Sequence, residues 1–207
     1  MTGSDPFQVV RDFEGALAEY TSAKYAVSTT SCTVALMLAI KWFLKNSRDN
    51  LIEIPDKTYI GVPMSIRNAG GCPMFRDEEW IGEYQLRPLP VWDCARWFRR
   101  GMFRPGSMQC LSFHWTKQLA IGQGGCILHD NDKADEWLRR MRFDGRKEGV
   151  APKDDTFQMI GYHCYMSPRD AAEGLSRLSV FQDTGQPLPN DLYPDLSQLE
   201  IFRNNKR

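Results

Sequence analysis

The sequence predicts a layered α/β domain built on a mainly parallel sheet, and three observations lead there. Short β-type runs alternate with segments of helical apolar period along most of the chain. Small polar residues stand at the strand-to-helix turns, and Gly or Pro punctuates the helix ends. The chain has 207 residues, 42% of them hydrophobic, enough to bury a core without disulfide or metal staples.

From Pro6 to about Tyr20 the residues Phe7, Val10, Phe13 and Leu17 recur at helical spacing, with polar residues between them. Tyr25–Thr29 reads as a strand. The small polar turn Thr29–Thr33 then leads into Val34–Leu44, apolar over most of its surface like a helix laid on a sheet. A strand over Leu51–Pro55, a helix from about Thr58 to Asn68 and a strand over Pro73–Arg76 follow, with Ala69-Gly70-Gly71 ending the helix. Leu86–Val91, broken by two prolines, leads to a strand end at Val91-Trp92-Asp93. Met108–Phe113 and Cys126–His129 are strands separated by a glycine-rich turn. Asp132–Phe143 is a helix opened by a capping acid, with Trp137, Leu138 and Met141 facing inward. Ser167-Pro168 opens the last clear helix, which runs to about Phe181. Beyond Gln182 the composition turns to Pro, Asp, Asn and Gln and predicts an irregular tail.

Composition narrows the function. The 26 basic and 26 acidic residues balance, and no long run of one sign occurs, which argues against a nucleic-acid or membrane-surface binder. The six cysteines (32, 72, 94, 110, 126, 164) never form a C-x-x-C pair, so no metal site is expected and the thiols are expected to be free. The polar, acidic start reads as neither secretory signal nor transit peptide. No apolar run approaches the roughly 20 residues that span a bilayer. A cytoplasmic protein is the expectation.

Four segments could carry chemistry. Ser31-Cys32-Thr33 sits where a strand turns into a helix, and helix-start amides with hydroxyls suit a phosphate, although plain N-capping explains them equally. Asp93 ends a strand, where a carboxylate in an open α/β sheet faces the ligand crevice or else caps the next turn. Ser112-Phe113-His114-Trp115-Thr116-Lys117 leaves a strand and meets Gly122-Gln123-Gly124-Gly125. A lysine there can be desolvated into a nucleophile, or be a solvated loop residue. Tyr59 can stack on a flat ring or cover core.

Taken in order, these segments resemble the sugar aminotransferases of the DegT/StrS type, pyridoxal-phosphate (PLP) enzymes of fold type I. The family's S-G-T-x-A-L appears as Ser31-Cys32-Thr33-Val34-Ala35-Leu36, and its P-x-x-T-[FYW] as Pro55 to Tyr59. Its E-D-A-A-[QH] is matched by Trp92-Asp93-Cys94-Ala95-Arg96. The most specific match is S-F-H-x-x-K followed by G-E-G-G, here Ser112–Lys117 and Gly122–Gly125. G-Y-N-Y-R-M-S followed by A-A-x-G-L resembles Gly161–Ser167 and Ala171–Leu175.

The resemblance implies the three-layer α/β/α large domain of that fold over residues 1–150. Residues 151–207 then form a remnant of the C-terminal region, a helix over 167–181 plus a tail. It implies PLP held as a Schiff base on Lys117, which then shuttles protons. Asp93 keeps the pyridine nitrogen protonated, so that the ring remains an electron sink. Ser31, Cys32, Thr33 and Ser112 bind the phosphate, Tyr59 stacks on the ring, and His114 tunes the lysine or reaches substrate. Cys32 replaces the usual glycine. Arg96 replaces a Gln or His and is available to the cofactor phenolate or the substrate. His163 replaces an Asn that typically reaches the partner subunit's phosphate. Implied partners are an amino-acid donor such as glutamate, a keto-sugar (nucleotide-linked in most relatives) and a second copy completing a homodimer. The alternative is a non-catalytic relative that binds PLP or a partner, which the reduced C-terminal region favours and the retention of Lys117, Asp93, Tyr59, Thr33 and Ser112 opposes.

Overall fold

A computed structural model describes residues 5–190 and 192–203. Its elements in chain order are α1 (Gln8–Thr21), β1 (Tyr25–Thr29), α2 (Cys32–Leu44), β2 (Leu51–Pro55), α3 (Gly61–Asn68), β3 (Cys72–Arg76) and β4 (Tyr84–Leu86). They continue with β5 (Val91–Asp93), β6 (Met108–Ser112), β7 (Gly125–His129), α4 (Asp132–Met141), α5 (Pro168–Ser179) and a single turn, α6 (Glu200–Arg203).

The main sheet has the order β1-β7-β6-β5-β4, and β2 and β3 form a parallel pair beside it. A bridge between Glu53 and Arg87, with N···O distances of 2.7 and 3.1 Å, joins that pair to the edge next to β4. The expectation of a mainly parallel sheet needs correction. Only β5·β6 and β2·β3 pair in parallel, whereas β1·β7, β6·β7 and β4·β5 are antiparallel. Connection length is the physical reason. A parallel pair needs a crossover of a dozen or more residues, usually with a helix. Residues 87–90 can only reverse the chain, and 113–124 return it without a helix. Five strands nevertheless run one way, with β4 and β7 inserted in the opposite sense.

Helices cover both faces. On one, α2, α3 and α4 pack Leu36, Ile40, Ile66 and Leu138 over Val27, Ile52, Cys110 and Ile127. On the other, α1 and α5 pack Phe13, Leu17, Ala171 and Leu178 over Ala26, Leu111, Cys126 and Leu128. Alternate residues of β6 and β7 thus face different cores, and β7 is buried throughout. Gly174 of α5 lies against Phe13, where an added Cβ would come 2.5 Å from the ring.

Polar residues tie the layers together. Glu14 of α1, only 3% exposed, accepts from the Ser28 amide (2.9 Å) and hydroxyl (2.6 Å) and pairs with Arg139 (2.6 Å) and the fully buried Arg142. Burial would push its carboxyl up, but the two guanidiniums and the hydrogen bonds hold it below its usual range.

Several bounds differ from expectation. Asn131 caps α4, its side chain accepting from the Ala134 amide at 3.0 Å, and Asp132 is the first helical residue. α3 starts at Gly61 rather than at Thr58. The proline-broken stretch before Asp93 is a hairpin, with Tyr84 opposite Asp93 and Leu86 opposite Val91. The described residues of the tail are irregular apart from a 3₁₀ turn at Leu196–Gln198 and α6, and they are tied down at several points. Asp183 accepts from the Arg100 amide (2.7 Å) and the Tyr20 hydroxyl (3.2 Å), and the Leu196 amide donates to the Asp56 carbonyl (2.8 Å). Among the described residues, no helix is long and apolar enough to cross a membrane.

Candidate active site

Five strands that share a direction place their carboxyl ends together, and four of the loops leaving them build one site. β1 delivers Ser31 to Thr33, β2 delivers Thr58 and Tyr59, β5 ends on Asp93, and β6 leads to Ser112, His114 and Lys117. These residues line a single cavity of about 360 Å³, with Arg96, Gln123, Gly124, Trp80 and Tyr193. A cleft of about 720 Å³ elsewhere is lined by Glu14, Arg139, Glu148, Arg11 and Asp5, already paired with one another. Its chemistry is spent internally.

At the floor, Ser31 caps α2, its hydroxyl accepting from the Val34 amide at 3.2 Å. Cys32 and Thr33 form the first turn, at the positive end of the helix dipole. This turn approaches β7 so closely that a Cβ on Gly125 would lie 2.4 Å from the Cys32 nitrogen and the Ser31 carbonyl carbon. Gly61 does the same on the other side, where a Cβ would come within 2.6 Å of the Tyr59 ring and 2.9 Å of the Thr33 hydroxyl. Absent side chains therefore let hydroxyl, aromatic ring and helix start converge. Tyr59 is 55% exposed, which is too open for a core role.

Asp93 is buried at the opposite wall. Its Oδ1 accepts from the Ala95 amide (2.9 Å) and its Oδ2 from the Tyr84 hydroxyl (3.1 Å). Burial still pushes its carboxyl above the usual range, against the pull of those donors and of the Lys117 and Arg96 charges. Such a carboxylate favours a cationic partner in contact. The Lys117 amide donates to the His114 carbonyl at 2.8 Å, closing a tight turn. His114 is exposed, its Nδ1 3.0 Å from the Thr116 hydroxyl. Ser112 Oγ accepts a long 3.4 Å bond from the His114 amide.

Two expected residues have further partners, Arg96 while lining the cavity and His163 outside it. The Arg96 guanidinium holds the tail, bonding the Pro189 carbonyl and, at 3.4 Å, the Tyr193 hydroxyl. His163 lies outside the cavity, 2.8 Å from Asp144, on a strand-like bridge to Phe143. Thr58, Tyr84, Trp80, Tyr193 and Gly61 are site residues that the sequence did not reveal. Only Thr58 carried a signal, as part of the P-x-x-T-[FYW] match.

The crevice at the strand ends thus brings together a lysine on a tight turn, a buried carboxylate, an exposed aromatic ring and a hydroxyl-bearing helix start. The sequence model of the DegT/DnrJ/EryC1/StrS aminotransferase family matches residues 5–88 and 99–186, and the chain belongs to that family. It is 24% identical over 226 residues to the spore coat polysaccharide biosynthesis protein SpsC of Bacillus subtilis, covering 84% of this chain and 57% of that protein. It is 26% identical over 219 residues to GDP-perosamine synthase of Escherichia coli O157:H7, covering 84% and 58%. The fold is similar to that of AtS13 from Actinomadura melliaura (TM-score 0.72, 20% identity, 84% of this chain and 60% of that one). It also resembles Helicobacter pylori PseC, an aminotransferase of pseudoaminic acid biosynthesis (TM-score 0.68, 16% identity, 86% and 63%). The chain spans somewhat over half the length of these curated relatives. PLP is the expected cofactor, and the residues fit it. A desolvated carboxylate suits a pyridinium N–H, a helix start with hydroxyls suits a phosphate, and a lysine lines the same cavity.

Proposed function

We propose that this chain binds PLP through Lys117 and transfers an amino group from an amino acid such as glutamate to a keto-sugar, nucleotide-linked as in GDP-perosamine synthase. The observation that carries this reading is the convergence of Lys117, Asp93, Thr33, Tyr59 and Ser112 on one cavity from four separate loops. When bound, the cofactor supplies an electron sink for the carbon that gains or loses the amine.

The side chains divide the work. The Lys117 amine would anchor the cofactor and, when free, would be the base that moves a proton at the reacting carbon. Asp93 meets the ring nitrogen and keeps it protonated. Thr33, Ser112 and the first amides of α2 hold the phosphate, and Tyr59 covers the ring. His114, linked to Thr116 at the cavity edge, orients the loop that carries Lys117 or meets the acceptor. In this reading residues 1–150 hold the cofactor, while 151–207 supply α5 and the covering tail. A second copy closes the open face to form a cytoplasmic homodimer, and exposed Trp115 and Tyr59 lie on that face.

Absorbance of the purified chain with PLP, before and after glutamate, tests the proposal. The expected result is a visible band that borohydride traps on Lys117 and that Lys117→Ala lacks, converted by glutamate to the shorter-wavelength amine form. Asp93→Asn should weaken binding and stop the conversion. A band that glutamate leaves unchanged would favour the non-catalytic alternative. No band, or one that survives in Lys117→Ala, would refute the assignment.

A further inference from the structure

Asp93 has a partner that neither the lysine motif nor the phosphate cradle accounts for. β4 runs antiparallel to β5, and the register sets Tyr84 directly across from Asp93. Tyr84 is 4% exposed, and its phenol lies 3.1 Å from Asp93 Oδ2 and 2.7 Å from the Thr58 hydroxyl, itself 1% exposed. A phenol has one proton, and the carboxylate can only accept. The proton therefore goes to Asp93, and Thr58 donates its own to the phenol oxygen. With the Ala95 amide on Oδ1, both carboxylate oxygens have a fixed donor. The Tyr84 ring is held from behind by Trp80, edge-on at 4.7 Å between centroids.

We propose that Tyr84 is a positioning residue for the cofactor site, its hydroxyl fixing the Asp93 carboxylate and keeping it ionised for the ring nitrogen of PLP, with Thr58 fixing the phenol in turn. The inference rests on Asp93 being the ring-nitrogen partner. Burial and the Asp93 charge keep Tyr84 protonated well beyond the ordinary phenol range, so it remains a donor at every working pH. Other titratable groups around Asp93 are Lys117 and Arg96, which favour its anion, and the thiols of Cys32, Cys94 and Cys110. Burial raises all three thiols well above their usual range, so they remain neutral. With the phenol present, a proton shared between ring and carboxylate resides on the ring. Without it, the neutral acid beside an unprotonated ring gains ground.

The test uses the full chain in two states. In the cofactor-free protein, carbon NMR of labelled aspartate follows the Asp93 carboxyl. Tyr84→Phe keeps the ring and removes only the hydroxyl, and it should raise the Asp93 midpoint by about one to two pH units. Thr58→Val should raise it by less. With PLP labelled at the ring nitrogen, Tyr84→Phe should move the nitrogen resonance toward the unprotonated position at neutral pH and weaken binding severalfold. If both variants titrate as wild type, Tyr84 does not govern Asp93 and the proposal falls. A shifted Asp93 midpoint with an unmoved ring resonance would overturn the claim that the phenol governs the ring proton, and a ring resonance that Asp93→Asn also leaves unmoved would remove the premise instead.

Discussion

Gly125→Ala is the most discriminating single change, because its effect is steric and falls on the cofactor cradle. The new Cβ would sit 2.4 Å from the Cys32 nitrogen and from the Ser31 carbonyl carbon, both backbone atoms. Ordinary contact begins at 3.4 Å, so the first turn of α2 or the start of β7 must move by about 1.0 Å, the difference of the two. Overpacking of this kind costs about 1–3 kcal/mol, which is a fall of about 0.5–1.5 M in urea midpoint at a slope near 2 kcal/mol per molar. The displaced turn is the phosphate floor. A shift of about 1 Å breaks at least one charge-assisted hydrogen bond to the phosphate, about 1.5–3 kcal/mol, so PLP affinity should fall by about 10- to 100-fold. Gly122→Ala is the control. Its φ is +103° with nothing within 4 Å of an added Cβ, so it should cost about 1–3 kcal/mol of backbone strain and leave the cradle in place. Urea unfolding and PLP titration of both variants decide the matter. Gly125→Ala binding PLP as tightly as wild type would refute the claim that the α2 turn holds the phosphate.

Other perturbations separate fold from site. Glu14→Gln leaves the buried Arg142 with only Glu148, at 3.3 Å, as its anion and should cost about 3 kcal/mol by chemical denaturation. Because the folded-state ionisation of Glu14 lies below the unfolded one, its contribution is present above the ordinary carboxylate range and is lost as pH falls through the folded value. The variant should therefore show a flatter acid limb. Asp93 has the opposite sign. Its raised folded-state value makes the cofactor-free protein lose stability as pH rises through it, so Asp93→Asn should melt a few degrees higher without PLP and bind PLP worse. Gly174→Ala sets a methyl 2.5 Å from Phe13 Cζ and should lower stability by about 1–3 kcal/mol while leaving cofactor affinity unchanged. Arg96→Ala releases Pro189 and Tyr193 and should speed proteolysis within 183–196, read by limited digestion.

The bounds of β1, β2, β6 and β7 were legible because each is a short apolar run closed by turn residues. The four chemical segments were legible through the order of their motifs. What escaped was set by distant partners. Strand direction depends on connection length, and the two prolines at 88 and 90 read as a break rather than as the turn of a hairpin. Tyr84 looks like any strand aromatic until register places it opposite Asp93. Arg96 lines the cavity, and its second attachment was hidden because those partners lie near residue 190, in a tail whose composition says nothing of where it docks. His163 stood out by motif position alone, and its contact with Asp144 left no trace in the sequence.

The two ends of the sheet have different tolerance for change. Segments 45–50, 87–90 and 104–107 turn at the end away from Lys117, and the side chains that line the cavity come from the other end. Length can be removed or inserted at those far turns without passing through the reactive centre. The 87–90 turn shows the limit of that freedom, since a connection so short reverses the neighbouring strand and thereby decides which residue stands beside the key carboxylate. Grafting a longer, helix-bearing connection there would restore a co-directional neighbour and remove Tyr84 from its post. The connection at one end of this molecule thus decides which side chain stands beside Asp93 at the other.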